Sequence, residues 1–275
     1  MKKSIRFIGL SLIIVTVLAL TLAGCGDNGS NGEGKSTITE AGSTTVQPVA
    51  EQLAIAFMNM HEGITVTIQG GGSSTGVKSV SDGTVDIGAA SRELKESEMG
   101  LGLIEHVLAR DGIAIIAHPS QTVTGLTEEQ VRQIFAGEIT NWSQVGGADE
   151  GINIIAREEG SGTRDAFEEI VMEDTLISSG ALLQPSNGAI KTTVAGDPNA
   201  IGFISFGYID DSVSTLSING IAATIDNVKS GSYPVVRPLL LLTKGEPTGN
   251  VKVFIDYCLG PEGQEIVAQD YIPVN

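Results

Sequence analysis

The chain has 275 residues, of which 41 % are hydrophobic and 18 % charged, enough apolar material for one large or two modest domains. Its 16 basic and 33 acidic residues give a formal net charge of −17. That balance argues against nucleic acid or an anionic membrane surface as partners. A small anion stays admissible, because the field of a site is local and distant surface charge is screened.

Lys2, Lys3 and Arg6 precede an uncharged apolar stretch from Ile8 to Leu22, which ends in Leu22-Ala23-Gly24-Cys25. This order predicts a lipoprotein signal peptide over 1–24, cut before Cys25, which is then diacylated. The alternative, an uncleaved membrane anchor, meets an apolar run short for a full span. Residues 25–35 (Gly26, Asp27, Asn28, Gly29, Ser30 and onward) have the polar, glycine-rich composition of a flexible tether. Without the signal, 251 residues remain with a net charge of −20.

Beyond the tether, Ser36-Thr37-Ile38 opens a strand ending at Gly42-Ser43-Thr44-Thr45. Val46, Val49, Leu53, Phe57 and Met60 recur at helical spacing, with Pro48 tolerated in the first turn. Ile64, Val66 and Ile68 alternate as a strand, and Gly70–Gly76 leads into a short helix with Val77 and Val80. Val85–Ala90 is a third strand, ending at Ser91-Arg92. Strand, small-residue turn, helix, strand is the rhythm of a parallel α/β sheet.

Gly112–Ala117 predicts another strand, and Thr127 with Gln130 three residues on predicts the capped start of a helix. Ile152–Ala156 is a strand that delivers Arg157 at its C-terminal end, where ligands of open α/β sheets gather. Ile201–Ile204 and Pro238–Leu242 supply later strands, the latter with four consecutive leucines that fit a buried strand. Val251–Leu259 and Gly263–Ala268 read as helices. Cys258 reads as a small core residue, and His61, His106 and His118 as isolated surface or loop residues; no metal cluster and no cofactor is expected.

Three segments share one plan of strand, hydroxyl-bearing turn and helix: Gly42–Thr45, Gly72–Gly76 and Arg157–Thr163. A helix N-terminus presents free N–H groups and a dipole that favours an anion. Convergence of three such turns would surround one small oxyanion, and three ordinary capped helices are the alternative. Arg157 shifts the balance, since its guanidinium is a planar fork of donors suited to a tetrahedral oxyanion. Its alternative partner is Glu159 or another carboxylate. Gly29–Ser36 fits a P-loop pattern but has no strand before it, so it lacks the context a P-loop needs. Gly72-Ser73-Ser74-Thr75-Gly76 fits a nucleophile elbow centred on Ser74, but a hydrolase would need a histidine after it, and only His106 and His118 follow.

Several motifs in order resemble the phosphate-binding lipoprotein of bacterial phosphate-specific ABC transporters. They are Ala41–Pro48, Gln69–Gly76, Val85–Ala89, Ile134–Trp142, Arg157–Arg164 and Leu259–Gln264. The resemblance implies a class II periplasmic-binding-protein fold, two α/β lobes joined by a hinge of two chain crossings. It places lobe one at 36–114 plus 235–275 and lobe two at 115–234. It implies a receptor, not an enzyme, that holds inorganic phosphate in the interlobe cleft and passes it to the transmembrane subunits of an ABC permease, anchored to the cell membrane by lipid on Cys25. By motif position, phosphate would be held by Ser43, Thr44, Thr45, Ser73, Ser91, Arg157, Ser161, Gly162 and Thr163. Many members carry a proton-accepting aspartate where this chain has Ser91, followed by Arg92, which would contact the anion or pair with an acid. Asp111 is a candidate substitute acceptor, unless it caps a turn or pairs with Arg110 or Arg92. A receptor for sulfate or another tetrahedral oxyanion is the alternative, and a surface serine hydrolase using Ser74 the distant one.

Overall fold

The computed structural model describes residues 37–274. The signal peptide, the tether, Cys25 and the P-loop-like match lie outside the described residues. Strand β1 (Thr37–Gly42) precedes helix α1 (Gln47–Met60), and β2 (Thr65–Gly70) precedes α2 (Ser73–Ser81). Next come β3 (Ile87–Ala90), β4 (Leu103–Ala117), β5 (Gly125–Leu126), α3 (Glu128–Ala136), β6 (Asn153–Arg157) and α4 (Gly162–Phe167). The chain continues through β7 (Leu182–Gln184), α5 (Asn187–Ala195), β8 (Ala200–Ser205), β9 (Ser214–Ile218) and α6 (Ile225–Lys229). It ends with β10 (Val236–Lys244), α7 (Gly249–Leu259), α8 (Pro261–Val267) and β11 (Ile272–Pro273).

The main strand path is β2-β1-β3-β10-β4-β8-β6-β7, a curled mixed sheet. β1 runs parallel to β2 and β3, and β6 parallel to β7 and β8, so each half carries a βαβ-type core. β4 joins the halves. Its residues 103–112 pair with β10, and its residues 113–117 pair with β8. The sequence reading began this strand at Gly112. The earlier half carries the exposed Glu105 and Arg110 and the half-buried His106, whereas Ile113–Ala117 are buried throughout. His106, expected on a surface or in a loop, is thus a half-buried strand residue bonded through Nε2 to Thr243 Oγ1 at 2.9 Å.

Each half has its own core. Phe135, Trp142, Phe167, Phe203 and Ile204 centre one, and Ile38, Leu53, Phe57, Leu239 and Phe254 the other. Leu240 and Leu242 face a smaller cluster with Val77 and Val80, so the four-leucine run is covered on both faces as its composition predicted. Cys258 is in the core at 1 % exposure. Thr127 and Gln130 form the expected capping box on α3, with bonds of 3.1 and 2.8 Å. Gly76 seats α2 directly on the sheet, since a Cβ there would lie 2.4 Å from the Ala89 carbonyl oxygen.

One buried polar group stands out in the β1 core. Glu40 is 2 % exposed and its Oε2 has no hydrogen-bond partner, so burial pushes its pKa up to about 8. An acid whose folded pKa lies above its unfolded value keeps its proton in the native state. Stability is therefore full at low pH and falls as pH rises from about 4.5 toward 8. Glu40→Gln is expected to flatten that decline and raise the melting temperature at pH 8. Superimposable pH profiles for the two proteins would contradict it.

Candidate functional site

The three hydroxyl-bearing turns converge, and they do so where the two halves of the molecule face each other. Ser43, Thr44 and Thr45 join β1 to α1. Ser73 opens α2, Ser91 follows β3, and Ser161, Gly162 and Thr163 start α4. All eight are buried, with Thr44 the most accessible at 9 %. Thr45 Oγ1 lies 3.2 Å from Thr163 Oγ1, and the Ser74 N–H donates to the Gly160 carbonyl at 3.1 Å. Gly162 allows this approach because a Cβ there would fall 2.2 Å from Ser73 Oγ and 2.8 Å from Ser91 Oγ. The local reason is the repeated turn: a strand ends and a small-residue turn leads into a helix, with Ser161 capping α4 while α2 starts from Gly72 without a side-chain cap. Ser43 Oγ accepts from the N–H groups of Thr45 and Val46 at 3.1 and 3.3 Å, and Ser161 Oγ accepts from Arg164 N–H at 3.3 Å.

Arg157 ends β6 beside this cluster and is 2 % exposed. Its Nε and Nη2 donate to the carbonyls of Gln184 and Pro185 at 3.2 and 2.9 Å. Glu159 is not its partner, and no carboxylate pairs with it among the described residues. Burial, together with the nearby positive charge of Arg237, pulls its pKa down to about 10. A buried guanidinium with neutral partners only is a costly arrangement unless an anion completes it. Thr44 Oγ1, also buried, has no hydrogen-bond partner.

Two further side chains of the cluster were missed in the sequence. Arg237, at the start of β10, is 3 % exposed and pairs with the fully buried Asp111 at 2.8 Å. Its Nη2 also donates to Thr45 Oγ1 at 3.1 Å, and its Nη1 to the Ser91 carbonyl at 3.1 Å. Asn187, the first residue of α5, donates to Thr45 Oγ1 at 2.9 Å. Arg237 stands, like Arg157, at a strand boundary against an apolar run, which is a readable signal. Asn187 follows Ser186, an N-cap with Ile190 and Val194 behind it, which marks the missed helix α5.

Asp111 meets neither Arg110 nor Arg92. Both Arg237 bonds end on its Oδ2, and Phe206 N–H donates to its Oδ1 at 3.2 Å. Burial pushes its carboxyl up while Arg237 pulls it down; it lies behind Arg237. Arg92 pairs with acids, Glu98 at 2.7 Å and Asp165 at 2.8 Å, and so is the acid-paired residue of the two expected alternatives.

The elbow reading of Ser74 finds no histidine. Its Oγ accepts from Arg92 Nη2 at 3.4 Å, while His106 bonds Thr243 and His118 bonds Ser120. A cavity of about 430 Å³ opens elsewhere, beside Gly137, Thr140 and Thr193. Its only charged lining residue is Asp197, so it does not suit an anion. Among the described residues no group of three or more His, Cys, Asp or Glu could hold a metal ion.

Comparison with known proteins agrees with this geometry. A PBP superfamily domain model matches residues 29–262. The phosphate-binding protein PstS of Bacillus subtilis is 33 % identical over 96 % of this chain and 93 % of its own length. The PstS of Borreliella burgdorferi is 29 % identical over 94 % of this chain and 96 % of its own. Among solved structures, a Clostridium perfringens protein with bound phosphate superposes with a TM-score of 0.85 at 44 % identity, covering 87 % of this chain and all of its own. An ABC-type phosphate transport receptor of Vibrio cholerae superposes with a TM-score of 0.73 at 35 % identity, over 86 % of this chain and all of its own. The chain belongs to the PBP superfamily and, within it, to the family of the phosphate-binding protein PstS.

Proposed function

We propose that the chain is the extracytoplasmic receptor of a phosphate ABC transporter: it binds inorganic phosphate between its lobes and delivers it to the permease. The observation that carries this reading is Arg157, a buried guanidinium with no carboxylate pairing it among the described residues, in the field of Arg237 and Tyr208, which bond Thr45 Oγ1 and the Thr44 carbonyl. The anion would be held by Ser43, Thr44, Thr45, Ser73, Ser91, Ser161, Gly162 and Thr163 together with Arg157. Lobe one is assigned to 36–114 plus 235–275 and lobe two to 115–234. The chain passes from one core to the other between Ala109 and Ile113 and between Val236 and Leu239, within a few residues of those edges, which supports the assignment. Ser91, a hydroxyl in place of a carboxylate, is the observation that keeps a sulfate receptor as a second reading.

Calorimetric titration of the purified full-length protein with phosphate, sulfate, molybdate and arsenate tests the choice. Saturable phosphate binding, weaker for sulfate, is the expected result; sulfate bound more tightly than phosphate would reverse it. Arg157→Ala should cost about 2–5 kcal/mol of phosphate affinity, the loss typical of truncating one partner of a desolvated charge pair. Arg157→Lys should also bind poorly, because one ammonium cannot replace the fork. A folded Arg157→Ala protein that binds phosphate within a factor of a few of wild type would remove Arg157 from the site.

Closure of the lobes on the ligand has its own support. Asp165 on α4 takes Arg92 at 2.8 Å and Lys95 at 2.9 Å, both from the loop after β3 on the opposite lobe. These cross-cleft pairs favour the closed state, and a ligand that touches both lobes shifts the same equilibrium. Asp165→Asn is therefore expected to weaken phosphate binding about fivefold, with a smaller effect at high salt. An unchanged affinity at low salt would count against the latch.

The membrane attachment rests on the order of charged, apolar and small residues before Cys25 and on the polar segment behind it. Among the described residues no helix is long and apolar enough to cross a membrane. Cys25→Ser is expected to release the protein from the membrane fraction, and mass spectrometry of the mature N-terminus should find a diacylated Cys25. Residues 1–24 still attached to the mature protein would refute the anchor.

A further inference from the structure

The turn between β1 and α1 is held from several sides. Ser43 Oγ accepts from the N–H groups of Thr45 and Val46 at 3.1 and 3.3 Å. Thr45 Oγ1 receives Asn187 Nδ2 at 2.9 Å and Arg237 Nη2 at 3.1 Å. Two phenols take the carbonyls: Tyr271 Oη donates to that of Thr45 at 2.9 Å, and Tyr208 Oη to that of Thr44 at 2.6 Å. Thr44 Oγ1 is the hydroxyl of this turn that is buried without a partner. A buried hydroxyl in that state is costly until a ligand meets it.

The two phenols come from different places. Tyr271 is 1 % exposed and belongs to the core that carries β1, so it moves with the turn. Tyr208 follows β8 and packs against the opposite core, that of Phe203 and Ile204. Its bond to Thr44 therefore exists only while the two halves are together. Tyr208 is also close enough to Arg157 for each to feel the other's charge. With Ser43 and Thr45 anchored by their own bonds, fixing the Thr44 carbonyl fixes the peptide plane between Thr44 and Thr45, and with it the bearing of the Thr44 side chain. The bonds of Asp165 to Arg92 and Lys95 join the halves at another turn, the one after β3.

We infer, on the phosphate reading above, that Tyr208 is a positioning residue for the anion: through the Thr44 carbonyl it aims Thr44 Oγ1 at the ligand when the halves come together, and so slows release. Tyr208 itself does not touch the anion. Closure and completion of the donor set are then one event, because the residue that sets Thr44 arrives with the opposite half. The bond is made after encounter, so it acts on the rate of leaving and not on the rate of arrival.

The test uses the full-length protein and inorganic phosphate, with the dissociation rate from a chase of radiolabelled phosphate and the affinity from calorimetry. Tyr208→Phe keeps the ring and removes the hydroxyl. It should speed release about three- to tenfold, the loss of one hydrogen bond, and leave the association rate unchanged. Gly188→Leu gives the same reading if that variant does not fold: a Cβ at Gly188 lies 3.7 Å from Tyr208 Cε1, so a larger side chain displaces the ring. A double-mutant cycle separates positioning from a simple latch. In a Thr44→Val background Tyr208→Phe should change the affinity by under about twofold, whereas Asp165→Asn should keep its full effect. Release that is unchanged in Tyr208→Phe, or an effect equally large with and without the Thr44 hydroxyl, would overturn the inference alone. Wild-type protein that binds no phosphate would overturn the phosphate reading, and the inference with it.

Discussion

Arg157 is buried without a carboxylate, and much of the molecule is arranged around that fact. A desolvated positive charge is unfavourable by several kcal/mol unless something negative meets it. Among the described residues its partners are two carbonyls, with a second buried arginine nearby that is itself neutralised by Asp111. The local field is therefore positive inside a protein whose overall charge is −17. Solvent and salt screen the distant acidic surface from the site. An anion entering the cleft meets donors already oriented, so less ordering is left to be done on binding.

Topology makes the site possible. The turns after β1, β2 and β3 belong to one core, and the turn after β6 belongs to the other. β4 is a single strand of 15 residues that serves both, and it holds Asp111 where its pairing with β10 ends. Arg237 enters from the return crossing at the start of β10. The Asp111–Arg237 pair thus sits at the passage between lobes and reaches Thr45 and Ser91 on one of them. Gly162 and Gly76 do the complementary steric work, letting one turn meet another and one helix rest on the sheet.

Much of this was legible in the residues themselves. The strand–turn–helix repeats, the Thr127 cap and the four-leucine strand follow from short-range patterns, and the structure realises them. Arg157 was legible because it lies within its own motif. The first half of β4 was not, because Glu105, His106 and Arg110 break the apolar run that marks a strand. The partners of Arg237 and Asn187 were not, because they lie far along the chain: Asp111 is 126 positions from Arg237, and Thr45 is 142 from Asn187. Short-range periodicity carries no information about such pairs. The pairing of Asp111 was illegible for the same reason, since Arg237 lies far beyond its local neighbours Arg110 and Arg92.

A crystal structure of the protein grown with phosphate tests the account most directly. The account predicts one phosphate between the lobes, with Arg157 in bidentate contact and the Thr45, Ser73 and Thr163 hydroxyls within hydrogen-bond distance. A closed cleft with Arg157 neutralised by a protein carboxylate, or phosphate bound away from Arg157, would contradict it.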